Sequence, residues 1–159
     1  MKITIASVGN IKEKYLKDTI TEYSKRISKY CQLSFVSVAD EPILDKASAG
    51  EMEIIKEREA ERLLKALPSN AYKIALNLKG TMLSSPELAQ KMDNVFSYSS
   101  SHIVFVIGGS LGLGESLLRQ MDYHLCFSKL TFPHQLMQVI LLEQIYRAFK
   151  INHNETYHK

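Results

Sequence analysis

An α/β protein with a mainly parallel sheet sandwiched by helices is the fold class this 159-residue sequence predicts. Three observations carry it. Strand-like and helix-like segments alternate along the whole chain. The segment His102–Gly109, HIVFVIGG, is almost wholly apolar, as a central parallel strand covered on both faces must be. The composition, 45% hydrophobic and 23% charged, suits a globular chain long enough to bury a core without disulfides or metals. No repeat or low-complexity linker divides the sequence, so residues 1–159 are expected to form a single domain.

Lys2–Val8 (KITIASV) reads as the first strand, closed by a turn at Gly9-Asn10. From Lys12 to Tyr30 the residues Leu16, Ile20, Tyr23, Ile27 and Tyr30 recur at steps of three and four, one stripe of an amphipathic helix. Leu33–Ala39 is strand-like, and the polar stretch Asp40–Gly50, which contains Pro42, reads as a loop. Glu51–Leu67 is a helix with a solvated charged face, ended by Pro68 and Ser69-Asn70. Tyr72–Leu78 is a third strand, broken by Gly80. Ser85 is the expected cap of the next helix, with Pro86 at its first position and an end near Phe96. The apolar strand then leads through a glycine loop into a short helix, Glu115–Met121. Tyr123–Ser128 is a fifth strand, Ser128–Gln135 a loop, Leu136–Phe149 a long helix, and the remainder a polar tail.

The net charge of +3 permits a nucleic-acid partner without demanding one. From Arg119 onward five Lys and Arg stand against three acids, a modest phosphate-binding balance. No run reaches membrane-spanning length and the N-terminus lacks the pattern of a signal peptide, so a cytoplasmic protein is expected. Cys31 and Cys126 form no CxxC and no cluster with histidine; they read as small core residues, and no metal site is expected.

Four of the seven glycines lie between Gly108 and Gly114. GSLGLGES fits the triphosphate-loop pattern except that Glu115 stands where the lysine should be and would repel phosphate. The dinucleotide pattern also fails, because its third glycine position holds Leu117. A loop of this kind after a buried strand implies a ligand held by backbone groups and apolar walls, without a polyphosphate. The next strand-end segment, LCFSKLTFPHQL (Leu125–Leu136), mixes Ser128, Lys129 and Thr131 with Phe127, Leu130 and Phe132. Two adjacent strand-end loops of these compositions are suited to sandwich a flat heterocycle.

FVIGGSLGLGESL, followed by FSKLTFPHQLMQVILLEQIYRAFKINHNETYHK, resembles the RlmH (YbeA-like) family of SPOUT methyltransferases. The likeness extends over essentially the whole chain, from MKITIASVGNIK to the closing YHK. It implies a C-terminal trefoil knot, S-adenosyl-L-methionine as cofactor and a homodimer. It also implies methylation of N3 of a pseudouridine in large-subunit (23S) ribosomal RNA on the assembled ribosome. Carried over to matching positions, it makes Leu76, Gly108, Phe127, Ser128, Lys129, Leu130, Thr131 and Phe132 cofactor-binding residues. That ligand has no phosphate and bears a sulfonium cation, so Glu115 is tolerable as a surface acid at a helix start.

The N3–H proton of a pseudouridine must leave during transfer, which calls for a base or an orienting group. The tail offers His153, Tyr157 and His158, and His158 has the intrinsic pKa best suited to the task. Arg147 and Lys159 are placed to clamp phosphate or stabilise a developing oxyanion. The expected catalytic residues are therefore His158, Tyr157 and Arg147, while His102, His124 and His134 are expected to be structural or surface residues. The apolar helix face from Leu136 to Leu142 suggests a symmetric dimer in which the tail of one subunit reaches the cofactor of the other. A ribosome-associated RNA-binding factor of the same fold without catalysis is the alternative.

Overall fold

The computed structural model describes residues 1–159 and contains one five-stranded parallel sheet with helices on both faces. The elements are β1 (Lys2–Val8), α1 (Lys14–Ile27), β2 (Gln32–Val38), α2 (Ala49–Ala66) and β3 (Tyr72–Met82). They continue with α3 (Ser85–Tyr98), β4 (His102–Ile107), α4 (Glu115–Leu118), β5 (Tyr123–Cys126) and α5 (His134–Asn152). The strand order is β2-β1-β4-β3-β5.

The period-2 alternation of strands divides the core in two. Ile3 and Ile5 of β1, with Ile103, Phe105 and Ile107 of β4, face α1, α3 and α5. Ala6, Val8, Val104 and Val106 face the opposite way, against Ala60 and Leu63 of α2 and Leu117 of α4. The whole of β4 from Ile103 to Ile107 is buried, which explains its unbroken apolar sequence. Phe105 is entirely enclosed, and burying a side chain of that size contributes about 1.5–3 kcal/mol. Cys31 and Cys126 are buried and unpaired. No helix is long and apolar enough to cross a membrane.

The structure shifts several expected boundaries. Helix α2 starts earlier than Glu51 because Ser48 forms a capping box: its hydroxyl accepts from Glu51 N, and the Glu51 carboxylate accepts from Ser48 N. Ser84, not Ser85, caps α3 in the same way with Glu87. Gly80 does not end β3. The strand runs to Met82 with a register jump, so that both Leu76 and Thr81 pair with Leu125. Glycine is required in that irregular turn, since a Cβ on Gly80 would stand 2.5 Å from the His124 carbonyl oxygen.

Candidate functional site

The strands β4, β3 and β5 end together around a cavity of about 470 Å3, within the usual range for small-molecule sites. The glycine loop forms one wall and the segment after β5 the other. The expected sandwich of two adjacent loops is corrected in one respect. β3 lies between β4 and β5, and its residues Leu76 to Leu78 separate the two walls.

The glycine loop is tightly folded. Gly112 N donates to Gly109 O at 3.0 Å, and Gly112 has φ 89°, a left-handed conformation. Gly108 lies so close to the returning chain that a Cβ there would meet the Gly112 carbonyl carbon at 2.7 Å. In the opposite wall, Leu130 N donates to Ser128 Oγ at 3.0 Å, which curls the segment back over the cavity. Leu130 is 71% exposed at the rim.

Of the residues expected to bind a cofactor, Leu76, Gly108, Phe127, Ser128, Leu130, Thr131 and Phe132 line this cavity. Lys129 does not. It is exposed between two lining neighbours and does not contribute to the wall. Sequence reasoning missed Asn77, Ile107, Ser110, His134 and Met137, which also line it. His134 was expected to be structural or peripheral; it opens α5 directly after Pro133, and that helix start faces the cavity. No Lys, Arg, Asp or Glu lines the cavity. A polyphosphate has nothing there to neutralise it, whereas a nucleoside with little net charge meets apolar walls, hydroxyls and main-chain groups. The donor set therefore fits S-adenosyl-L-methionine and not a triphosphate.

Arg147, Tyr157 and His158 gather at a different place. Glu143 and Arg147 are one turn apart on α5, with the carboxylate accepting from Arg147 Nη2 at 2.6 Å and from Nε at 3.0 Å. Tyr157 donates to Glu143 Oε1 at 3.2 Å, and the Arg147 guanidinium lies 4.7 Å from the centre of the Tyr157 ring. Hydrogen bonding to Glu143 holds the Arg147 pKa above its ordinary value. Burial, followed by the charge of Glu143, raises the Tyr157 phenol, which stays protonated at neutral pH. Arg147 Nη1 lies 3.3 Å from His158 Nδ1. A guanidinium only donates, so Nδ1 is the acceptor in this contact.

This cluster and the cavity are separate within one chain. Met137 lines the cavity, and Arg147 lies ten residues further along α5, about 15 Å at 1.5 Å per residue. His153 is not part of the cluster; its Nδ1 lies 2.9 Å from Phe149 O and its ring packs 5.1 Å from that of Tyr30. Glu115 is a surface acid, 3.6 Å from Arg119.

Residues 1–158 match the family model described as "Predicted SPOUT methyltransferase". The chain is 54% identical over 159 residues to a ribosomal RNA large subunit methyltransferase H of Clostridium botulinum, covering all of both chains. The proteins of that name from Bifidobacterium adolescentis (54%) and Clostridium kluyveri (52%) are likewise matched over their full length.

Proposed function

The chain belongs to the SPOUT methyltransferase family, and we propose that it methylates N3 of a pseudouridine in large-subunit (23S) ribosomal RNA, on the assembled ribosome. One observation carries the cofactor side of this reading. The cavity at the sheet's carboxyl edge is built from a glycine turn, hydroxyls and apolar side chains, with no charged residue. When bound there, S-adenosyl-L-methionine supplies an electrophilic methyl group on a sulfonium. Leu76, Phe127 and Phe132 offer apolar walls, while Gly108 and the 128–131 segment offer main-chain groups. The trefoil knot implied by the resemblance and a cytoplasmic location belong to the same reading.

The tail cluster supplies the acceptor side. His158 takes the N3 proton on Nδ1 once Arg147 turns from it toward the substrate, and a positioned base of this kind contributes about 10²–10⁴ in rate. Arg147 then stabilises charge on a uridine oxygen. Tyr157, held protonated, orients Glu143 and Arg147. Because Arg147 lies about 15 Å along α5 from Met137 of its own chain's cavity, the protein acts as a homodimer in which each tail serves the partner's cavity. The exposed apolar residues Leu78, Leu130 and Leu136 support a covering partner on this side.

The test is incubation of purified protein with labelled S-adenosyl-L-methionine and either assembled ribosomes from a deletion strain or protein-free ribosomal RNA. The expected result is one methylated pseudouridine, on ribosomes only. Tight ribosome binding with no methyl transfer would instead establish a non-catalytic binding factor.

A further inference from the structure

β3 does not run straight past the cavity. Leu76 and Thr81 both pair with Leu125, so residues 77–80 loop out of the ladder beside β5. Two contacts with His124 hold this excursion. Gly80 presses on the His124 main chain, where a Cβ would stand 2.5 Å from the carbonyl oxygen. Asn77 ties its own turn to the His124 ring: Lys79 N donates to Asn77 Oδ1 at 3.1 Å, and Asn77 Nδ2 lies 3.1 Å from His124 Nδ1. Leu76, Asn77 and Leu78 form the floor between the two walls of the cavity, whereas His124 does not line it.

The first of these side-chain bonds fixes the direction of the second. A main-chain N–H only donates, so the Asn77 oxygen faces Lys79 and the amide nitrogen faces the ring. An amide nitrogen also only donates, so His124 Nδ1 accepts and carries no proton in this contact. A protonated imidazole has N–H on both nitrogens and offers no acceptor. Turning the Asn77 amide over would suit that ring but would set its NH2 against Lys79 N. One protonation state of His124 satisfies the turn, and the other breaks it at one end. No charge offsets this. The charged groups on β3 and in the turn before β5 are Lys73, Lys79, Arg119 and Asp122. Asp122 accepts from Lys73 N at 2.7 Å, Lys73 Nζ reaches Ser69 O at 3.3 Å, and Arg119 lies 3.6 Å from Glu115. Lys79 is exposed, and none of the four pairs with His124.

We propose that His124 is a positioning residue of the cofactor site: its unprotonated Nδ1 holds Asn77, and through it the floor from Leu76 to Leu78, in the shape that binds the cofactor. The proposal rests on the reading of this cavity as the site of S-adenosyl-L-methionine. Its sign follows from the bond. Cofactor affinity is full while the ring is neutral and falls as pH drops and the ring takes up a proton. By reciprocity, bound cofactor makes His124 harder to protonate.

Calorimetry with S-adenosyl-L-methionine from about pH 8 to about pH 5.5, the span over which imidazoles charge, tests this. Affinity of the parent should fall about tenfold, as for a polar group left without its partner. His124→Asn keeps an acceptor that does not charge, and its profile should stay flat near the parent's value at high pH. His124→Leu has no acceptor and should bind about tenfold more weakly throughout. His134 also lines the cavity, so His134→Gln is the control and should retain the acid loss. Nitrogen-15 spectra of the parent give a second readout that needs no variant to fold. His124 Nδ1 should be unprotonated at high pH, and the ring should charge at a lower pH with cofactor than without. A proton on Nδ1 at high pH, an unshifted ring titration, a flat parent profile, or an acid loss as large in His124→Asn as in the parent overturns the proposal. A chain that binds no cofactor at any pH refutes the reading of the cavity and this proposal with it. Binding that follows one profile in parent and His124→Asn refutes this proposal alone.

Discussion

The carboxylate of Glu59, on α2, supports Gly109 from below: a Cβ on Gly109 would stand 3.1 Å from Glu59 Oε2 and 3.3 Å from the Val8 side chain. The glycine loop thus rests on a buried acid from the opposite face of the sheet. Gly109→Ala forces that contact apart, and overpacking of this kind costs about 1–3 kcal/mol. The expected outcome is that the loop gives way and moves into the cavity. Cofactor affinity measured by calorimetry should fall about tenfold while the far-ultraviolet circular dichroism stays native. Wild-type affinity would show that the loop does not shape the site.

The same acid makes stability depend on pH. Glu59 is 5% exposed and accepts a hydrogen bond from Glu41 N at 3.0 Å. Burial raises its pKa, and the charge of Asp40 adds to the rise; the hydrogen bond from Glu41 and the charge of Arg62 oppose it. An acid with a raised pKa binds its proton more tightly when folded. Its contribution is therefore favourable at low pH and is lost as pH climbs from the ordinary carboxylate range through the raised value. Denaturant unfolding at a series of pH values should show that fall. Glu59→Gln keeps an acceptor for Glu41 N and should flatten it. Parallel profiles for the two proteins would remove Glu59 as its source.

Cofactor affinity should separate Phe127 from Lys129, two positions apart. Phe127 lines the first cavity, and truncating a ring that buries against a ligand costs about 1.5–3 kcal/mol. Phe127→Ala should weaken binding about tenfold to a hundredfold. Lys129 lies outside the wall, so Lys129→Ala should bind as the parent does. Equal losses in both variants would mean that the segment closes differently on its ligand.

Much of this architecture was legible in the residues. The apolar run of β4 announced a strand buried on both faces, and the stripe from Leu16 to Ile27 announced α1. Glu115 in place of a lysine argues against a triphosphate loop, and no Lys, Arg, Asp or Glu lines the cavity that the loop walls. The errors have local causes. Ser84 and Ser85 are both good caps, and only the reciprocal bond with Glu87 selects the first. Gly80 is a breaker by composition but serves as the close-packed turn of an irregular strand. His134 and Ile107 reach the cavity because of where β4 and α5 stop and start relative to each other, which one-dimensional spacing does not encode.

The separation of the tail cluster from the cavity leads to a prediction about subunits. Arg147→Lys keeps the charge but cannot hold Glu143 through two nitrogens. Methyl transfer to ribosomes should drop about 10²-fold or more, as for loss of a charge-stabilising donor, with cofactor affinity unchanged. Glu143→Gln should act in the same direction by releasing both Arg147 and Tyr157. If each tail serves the partner's cavity, a tail-defective chain and a cavity-defective chain can repair one another. Refolding Arg147→Lys together with Phe127→Ala in equal amounts makes about half the dimers mixed, and each mixed dimer carries one site with both parts intact. With cofactor held well below the dissociation constant of Phe127→Ala, the mixture should then recover about a quarter of wild-type activity, while either variant alone stays near background. If each tail instead serves its own cavity, no dimer in the mixture has an intact site and activity does not return.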